Sequence, residues 1–236
     1  AGKIYNRPME SIINPSDERE VGKRTILGCG FGMAGKKFKT TLKTQYGIIV
    51  SQDLADKAVI MYRETHDQVQ RFWWACQRAA VQAIQHPGDV FKAGAHIRFW
   101  VATVNGIPFL FMRLPSGRKI AYPWPEVNPD PKWDGRLEIT FFGNIKGNHW
   151  GRVKTYGGKL AENATQGVAA DVMMNGSCNA EKRGAEIILL VHDQSLGLKT
   201  KSVTLEQYVE ALTDLPDWAV GLPIKAEGRV IPFYKK

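Results

Sequence analysis

Cysteine is scarce in this chain of 236 residues: Cys29, Cys76 and Cys178 are the three present, they lie far apart, and no Cys-x-x-Cys pair occurs. An odd, scattered set suggests neither a disulfide framework nor a zinc site, and fits a reduced cytosol. His66 and His86 have no companions at metal-ligand spacing. No apolar run approaches the roughly 18 residues that a membrane helix requires, and the opening residues do not read as a signal peptide. No methionine stands at position 1, as expected of a fragment or a processed product.

Acid is missing locally as well. Residues 21–52 contain no Asp or Glu but hold Lys23, Arg24, Lys36, Lys37, Lys39 and Lys43, and residues 139–161 repeat the pattern with Lys146, Arg152, Lys154 and Lys159. With a formal net charge of +9, the chain favours a polyanionic partner, nucleic acid first and an acidic membrane surface second. Two basic stripes suit a groove that tracks a phosphate backbone, although any single lysine among them is equally a solvated surface group. Hydrophobic content of 44% and aromatic content of 10% describe an ordinary soluble globular protein, large enough to bury a good core.

What is present is organised around residues 19–33. Arg19, Lys23, Leu27 and Phe31 are each four apart, so a helix would align them as one stripe that starts with two cations and ends with two apolar groups. Such a face suits an anion with a ring attached: a fork and a point charge for phosphates, then a surface for sugar and base. Gly28, Gly30 and Gly32 weaken the helix and clear room for close approach. On spacing alone the stripe reads first as a solvated basic edge with a glycine-rich helix end.

Ser16 followed by acids is a capped helix start. A second, basic helix is expected over 36–46 with Phe38 and Leu42 inward, and two more over 51–85, ended by His86, Pro87 and Gly88. There Val69, Phe72, Cys76, Ala79, Ala80 and Ala83 recur at helical spacing, and Trp73 and Trp74 read first as core, with stacking on bases as the alternative. Short strands are expected over 97–104, 108–113, 118–122 and 136–142, separated by Asn105-Gly106, Ser116-Gly117 and the proline-rich 123–131. A helix follows over about 157–180, with Leu160, Ala164, Gly167, Val168, Asp171 and Val172 clustered along it. Residues 187–191 read as a buried strand that turns over at His192 and Asp193, a rigid post for a carboxylate facing a hard cation; a turn-forming Asp is the plain alternative. A helix over 205–215 closes the regular structure, with Leu205, Tyr208, Val209 and Leu212 inward. The fold class is α+β.

The stretch from Arg19 to Phe31 resembles motif B of family A DNA polymerases, the group of bacterial polymerase I and many phage replicases, with its Arg-x3-Lys-x7-Tyr-Gly pattern. Phe31 stands where the family usually has Tyr, and Leu27 where it usually has an aromatic residue. The run from Tyr156 through Gly157, Gly158, Lys159, Leu160, Glu162, Asn163 and Gln166 to Asp171 resembles the phage branch of the same family. His192 and Asp193, in the right order after these, match motif C, usually Val-His-Asp-Glu, with Gln194 in place of the customary Glu. Residues 222–234 resemble the closing strand of the phage enzymes.

The resemblance implies the fingers and C-terminal palm of a right-hand polymerase: helical fingers with a small antiparallel β insertion over 1–152, and a palm β-hairpin packed on helices over 153–236. It implies that Arg19, Lys23, Leu27 and Phe31 bind the dNTP, that Lys23 also acts catalytically on the departing pyrophosphate, and that Asp193 is a catalytic metal ligand for Mg2+, two ions in the complete site. Gln166, Glu162, Asn163, His192 and Lys159 would contact primer-template DNA, amides being suited to the acceptors that all base pairs share in the minor groove. The family's other essential aspartate lies in motif A, Asp-x-Ser-x-x-Glu, which precedes motif B and does not occur here. An N-terminal polymerase half carrying motif A is therefore the expected partner, in the bacterial host cytoplasm if the chain is phage-encoded. A noncatalytic nucleic-acid-binding subunit that has kept the fold is the alternative, favoured by the missing motif A and by Gln194.

Overall fold

The computed structural model describes residues 1–131, 135–145, 147 and 149–234; Lys146 of the second basic stripe lies outside them. The chain divides into two compact units, Ala1–Arg113 with Lys119–Ala164, and Leu114–Arg118 with Thr165–Lys236. Helices and antiparallel sheets make up both, in keeping with the α+β expectation. None of the described helices is long and apolar enough to cross a membrane.

In the first unit, a short helix α1 (Gly2–Tyr5) leads to α2 (Asp17–Cys29), α3 (Gly35–Tyr46), α4 (Gln52–Thr65) and α5 (Asp67–Gln85). Ser16 caps α2 by accepting from the Arg19 N–H, and Asp17, Glu18 and Glu20 place negative charge where the helix dipole favours it. Ser51 caps α4 in the same way through Leu54. Gly47, with φ 69°, ends α3 in the left-handed conformation and returns its N–H to the carbonyls of Leu42 and Lys43. Phe38 and Leu42 are fully buried, with Val21, Cys29, Ala58 and Val59 around them.

Helix α5 lays Cys76, Ala79, Ala80 and Ala83 against a four-stranded meander, β1 (Phe91–Ala93), β2 (Ile97–Val104), β3 (Ile107–Arg113) and β4 (Lys119–Pro123). Ile97, Phe99 and Val101 alternate inward on β2, as the strand period demands. Asn105 and Gly106 join β2 to β3 with φ of 51° and 80°, the two positive angles of a type I′ turn whose twist matches the strands. A second sheet holds β5 (Glu126–Pro129), β6 (Leu137–Ile145) and β7 (His149–Thr155). β5 falls within the proline-rich stretch read as a separator; prolines are tolerated because β5 is an edge strand, paired on one side only.

The helix α6 (Gly157–Lys182) opens in the first unit and its remaining turns belong to the second. The second unit continues with the hairpin β8 (Glu186–Val191) and β9 (Gln194–Leu198), then α7 (Leu205–Thr213), whose Thr204 and Gln207 form a reciprocal capping box. Residues 222–231 are not in a strand, so the closing strand expected there is absent from this chain's described residues. The Leu114–Arg118 loop joins this unit through α6: Arg118 pairs with Asp171 at 2.6 Å and donates to the Gly167 carbonyl, while Ser116 donates to Asp171.

Burial pushes the thiols of Cys29 and Cys76 up to about 11 and about 12, whereas Cys178 is exposed. The thiolate is the reactive form, and a raised value keeps the buried groups protonated as pH rises past their ordinary 9.0. A thiol reagent at pH 8 should therefore label Cys178 promptly in the native protein, and Cys29 and Cys76 only after denaturation. Fast labelling of Cys29 or Cys76 in the folded chain, read by peptide mapping, would contradict the packing.

Candidate functional site

Arg19, Lys23 and Leu27 share an exposed stripe of α2. Their neighbour Arg24 is committed elsewhere: it pairs with Glu20 at 2.9 Å and lies over the Tyr46 ring at 3.9 Å. Arg19 makes only a long contact with Glu20, 3.9 Å, and Lys23 has no ion pair among the described residues. Leu27 is 56% exposed and the adjacent Ile26 53%, so two apolar side chains follow the two cations into solvent.

Phe31 does not extend the stripe. Helix α2 ends at Cys29, and Phe31 sits in the following turn, half-buried. Glycines at 28, 30 and 32 lower helix propensity, and Gly32 adopts φ 87°, which a continuing helix forbids. The turn is also held from outside. The Trp73 indole N–H donates to the Gly30 carbonyl at 2.9 Å and the Tyr156 hydroxyl to the Phe31 carbonyl at 3.2 Å. Trp73 is thus the core residue expected, with its polar edge spent on the helix end, whereas Trp74 is 55% exposed and corrects the reading that buried both. Adjacent positions on a helix face about 100° apart, so one tryptophan can be core and the next not.

The glycine pair that opens α6 has a steric cause. A side chain at Gly157 would overlap the Trp73 carbonyl, and one at Gly158 would come within 2.6 Å of the Phe31 carbonyl oxygen. The Gly157 N–H, one of the unpaired donors of a helix start, reaches the Gln77 side-chain oxygen at 2.7 Å, and the Gln77 amide nitrogen donates to the Leu137 carbonyl at 3.1 Å. Lys159 and Glu162 pair with each other at 2.8 Å. Asn163 donates to the Tyr122 hydroxyl at 2.9 Å, a phenol that burial pushes up to about 12 against the opposing effect of that hydrogen bond. Of the amides expected to face a duplex, Asn163 is therefore partly engaged and Gln166 is exposed.

His192 and Asp193 form the two-residue tip of the β8–β9 hairpin, with His192 at φ 53°. Asp193 is exposed, in keeping with a carboxylate held at a hairpin tip. The strand beneath it is not buried, however: Ile188, Leu189 and Leu190 are 58%, 45% and 38% exposed. The expectation of burial followed from the apolar run, but the sheet has two strands only, and a bulge between Ile187 and Leu189 leaves Ile188 without a cross-strand partner. β9 is better braced, since Ser195 and Tyr208 of α7 share a hydrogen bond at 2.8 Å. Gln194 accepts from the Tyr234 hydroxyl at 3.0 Å, a contact that the customary Glu could also make.

Among the described residues no three His, Cys, Asp or Glu side chains gather closely enough to hold a metal ion. Asp193 offers one hard oxygen donor group, suited to Mg2+ but short of the set such an ion uses. Spacing has no means of revealing the Asp171–Arg118–Ser116 cluster, because Asp171 lies more than 50 positions from both its partners.

No family model matches the chain. Along its whole length it is similar to a protein of Bacillus phage SP02 named DNA polymerase, with 30% identity over 237 residues that account for 100% of this chain and 35% of that protein. The chain thus spans about a third of the length of the curated relative it matches.

Proposed function

We propose that the chain is part of a template-directed DNA polymerase of the phage branch of family A, transferring dNMP from dNTP to a primer 3′-OH, with fingers over 1–152 and a C-terminal palm segment over 153–236. The observation that carries this reading is the end-to-end match to a protein named DNA polymerase, on a chain whose basic stripe and acidic hairpin tip come in the order of motifs B and C.

Each residue has a role that its chemistry supports. Arg19 grips the triphosphate with its fork, Lys23 neutralises the departing pyrophosphate, and Leu27 offers an exposed apolar surface to sugar or base. Phe31, set beyond the helix, closes over the templating pair from the turn. Gln166, Glu162, Asn163, Lys159 and His192 face primer-template DNA. Asp193 would be this chain's ligand to Mg2+, and two such ions, when bound, supply Lewis-acid stabilisation of the attacking and leaving oxygens. The remaining carboxylates would come from a polypeptide carrying Asp-x-Ser-x-x-Glu, a sequence these residues do not contain. The exposed apolar side chains of β8 support a partner of that kind, because a two-stranded hairpin is marginal alone and gains from a further strand at its edge. For a phage-encoded protein the setting is the host cytoplasm.

Two assays test the reading. The isolated chain should bind dNTP saturably, and Lys23→Ala should weaken that binding about ten-fold, the worth of one charge-assisted hydrogen bond. Mixing with a separately made upstream half of the polymerase should yield primer extension. A chain that binds DNA but neither dNTP nor such a half, and never extends a primer, would instead be the noncatalytic subunit that Gln194 favours.

A further inference from the structure

A cavity of about 780 Å3 opens in the first unit between α5, the β6–β7 sheet and the start of α6, and none of the roles above uses it. Its volume lies within the range of small-molecule sites. Trp74 and Tyr156 line it and are 55% and 51% exposed, so two flat aromatic surfaces stand open to solvent around one hollow. Arg63 and Arg78 line it too, and neither has an ion-pair partner among the described residues. The acids there are balanced: Glu138 pairs with Lys154 at 2.6 Å, and Asp130 is matched in charge by Arg136 in the same lining.

The walls are fixed before any ligand arrives. Gln77 bridges the Leu137 carbonyl and the Gly157 N–H, and Trp73 holds the Gly30 carbonyl, so α5 is tied to three other segments around the hollow. Open aromatic faces beside unpaired arginines are what unpaired nucleotides require: the rings stack on bases of any sequence, and the cations follow the backbone. A duplex buries its base faces and cannot use such rings.

We infer that this cavity is a docking site for single-stranded DNA, with a base stacked on Trp74 and Tyr156 and the flanking phosphates on Arg63 and Arg78. The choice of DNA over RNA rests on the proposed function; the aromatic and cationic chemistry does not.

Fluorescence anisotropy of labelled dT12 with the full chain tests it. Trp74→Ala should weaken binding by about ten-fold or more, the range of one base–aromatic stack, and Trp74→Phe should restore most of it. Trp150→Ala, which removes a tryptophan that is 63% exposed but lines no part of the cavity, should leave dT12 affinity unchanged. Arg78→Ala should reduce the slope of log affinity against log salt by about one. Equal loss in the Trp74 and Trp150 variants, or none in Trp74→Ala, would overturn the site, and equal binding of rU12 would overturn its assignment to DNA. Because no primer is extended in this assay, its failure would leave the polymerase reading standing, and failure of extension would leave the cavity standing.

Discussion

Replacement of Asp193 by alanine should lower primer extension by about a thousand-fold or more in an enzyme completed by its upstream half. The physical argument begins with what the substitution does not touch. Asp193 is exposed at a hairpin tip and makes no hydrogen bond or ion pair with any described residue, so its loss removes no brace from the fold. Thermal stability and the circular dichroism spectrum should be those of the parent chain. What disappears is an exposed carboxylate at the hairpin tip. If it ligates a cation that stabilises several kcal/mol of charge in the transition state, then at about 1.4 kcal/mol per decade the rate falls by three decades or so. Asp193→Asn, which keeps size and polarity, should fall nearly as far, because the ligand's charge is what the ion needs. Extension at more than a tenth of the parent rate in either variant would remove Asp193 from the chemistry.

The largest effect on stability is expected from Gly157→Ala. In most helices this exchange stabilises by about 1 kcal/mol. Here the added methyl meets the backbone carbonyl of Trp73, which has no rotamer to yield with, and displaces the N–H that Gln77 receives. Against a backbone atom this close, overpacking falls at the upper end of its usual range, about 3 kcal/mol, so the net change is a loss of about 2 kcal/mol. For a chain of this size that corresponds to a melting point lower by about 5 °C, measurable by calorimetry. An unchanged or higher melting point would mean that α6 does not start hard against α5.

These two residues mark what the sequence can and cannot tell. The helices are legible because their apolar spacing, caps and breakers are local: Ser16 caps α2 as its type suggests, and α5 stops at Gln85, just before Pro87 and Gly88. The meander was legible from Asn105-Gly106 and from strand alternation. β5 is hidden in the sequence because four prolines within 123–131 read as punctuation, and only pairing with β6 shows that an edge strand accommodates them. Trp74 departs from the core expectation because periodicity does not state how wide a helix face its neighbours cover.

Within the site, the Arg19–Lys23–Leu27 stripe and the Asp193 tip follow from spacing and turn chemistry. Phe31 does not: the glycines announce a helix end but not its position, which is fixed with help from Trp73 and Tyr156 at separations of 43 and 125 positions. Nothing near Asn163 in the chain announces Tyr122, so the sequence presents it as an open amide. The run 187–191 reads as buried because an apolar strand states a need for cover and not its source.

That last feature bears on control. A carboxylate at the end of a thin two-stranded tongue, with Ile188, Leu189 and Leu190 facing water, is aimed only as well as the tongue is steadied. Phosphoryl chemistry tolerates little wander in the position of such a group. On the proposed reading, any segment that paired with this hairpin would therefore also set the direction of its carboxylate, and so govern when that group can serve.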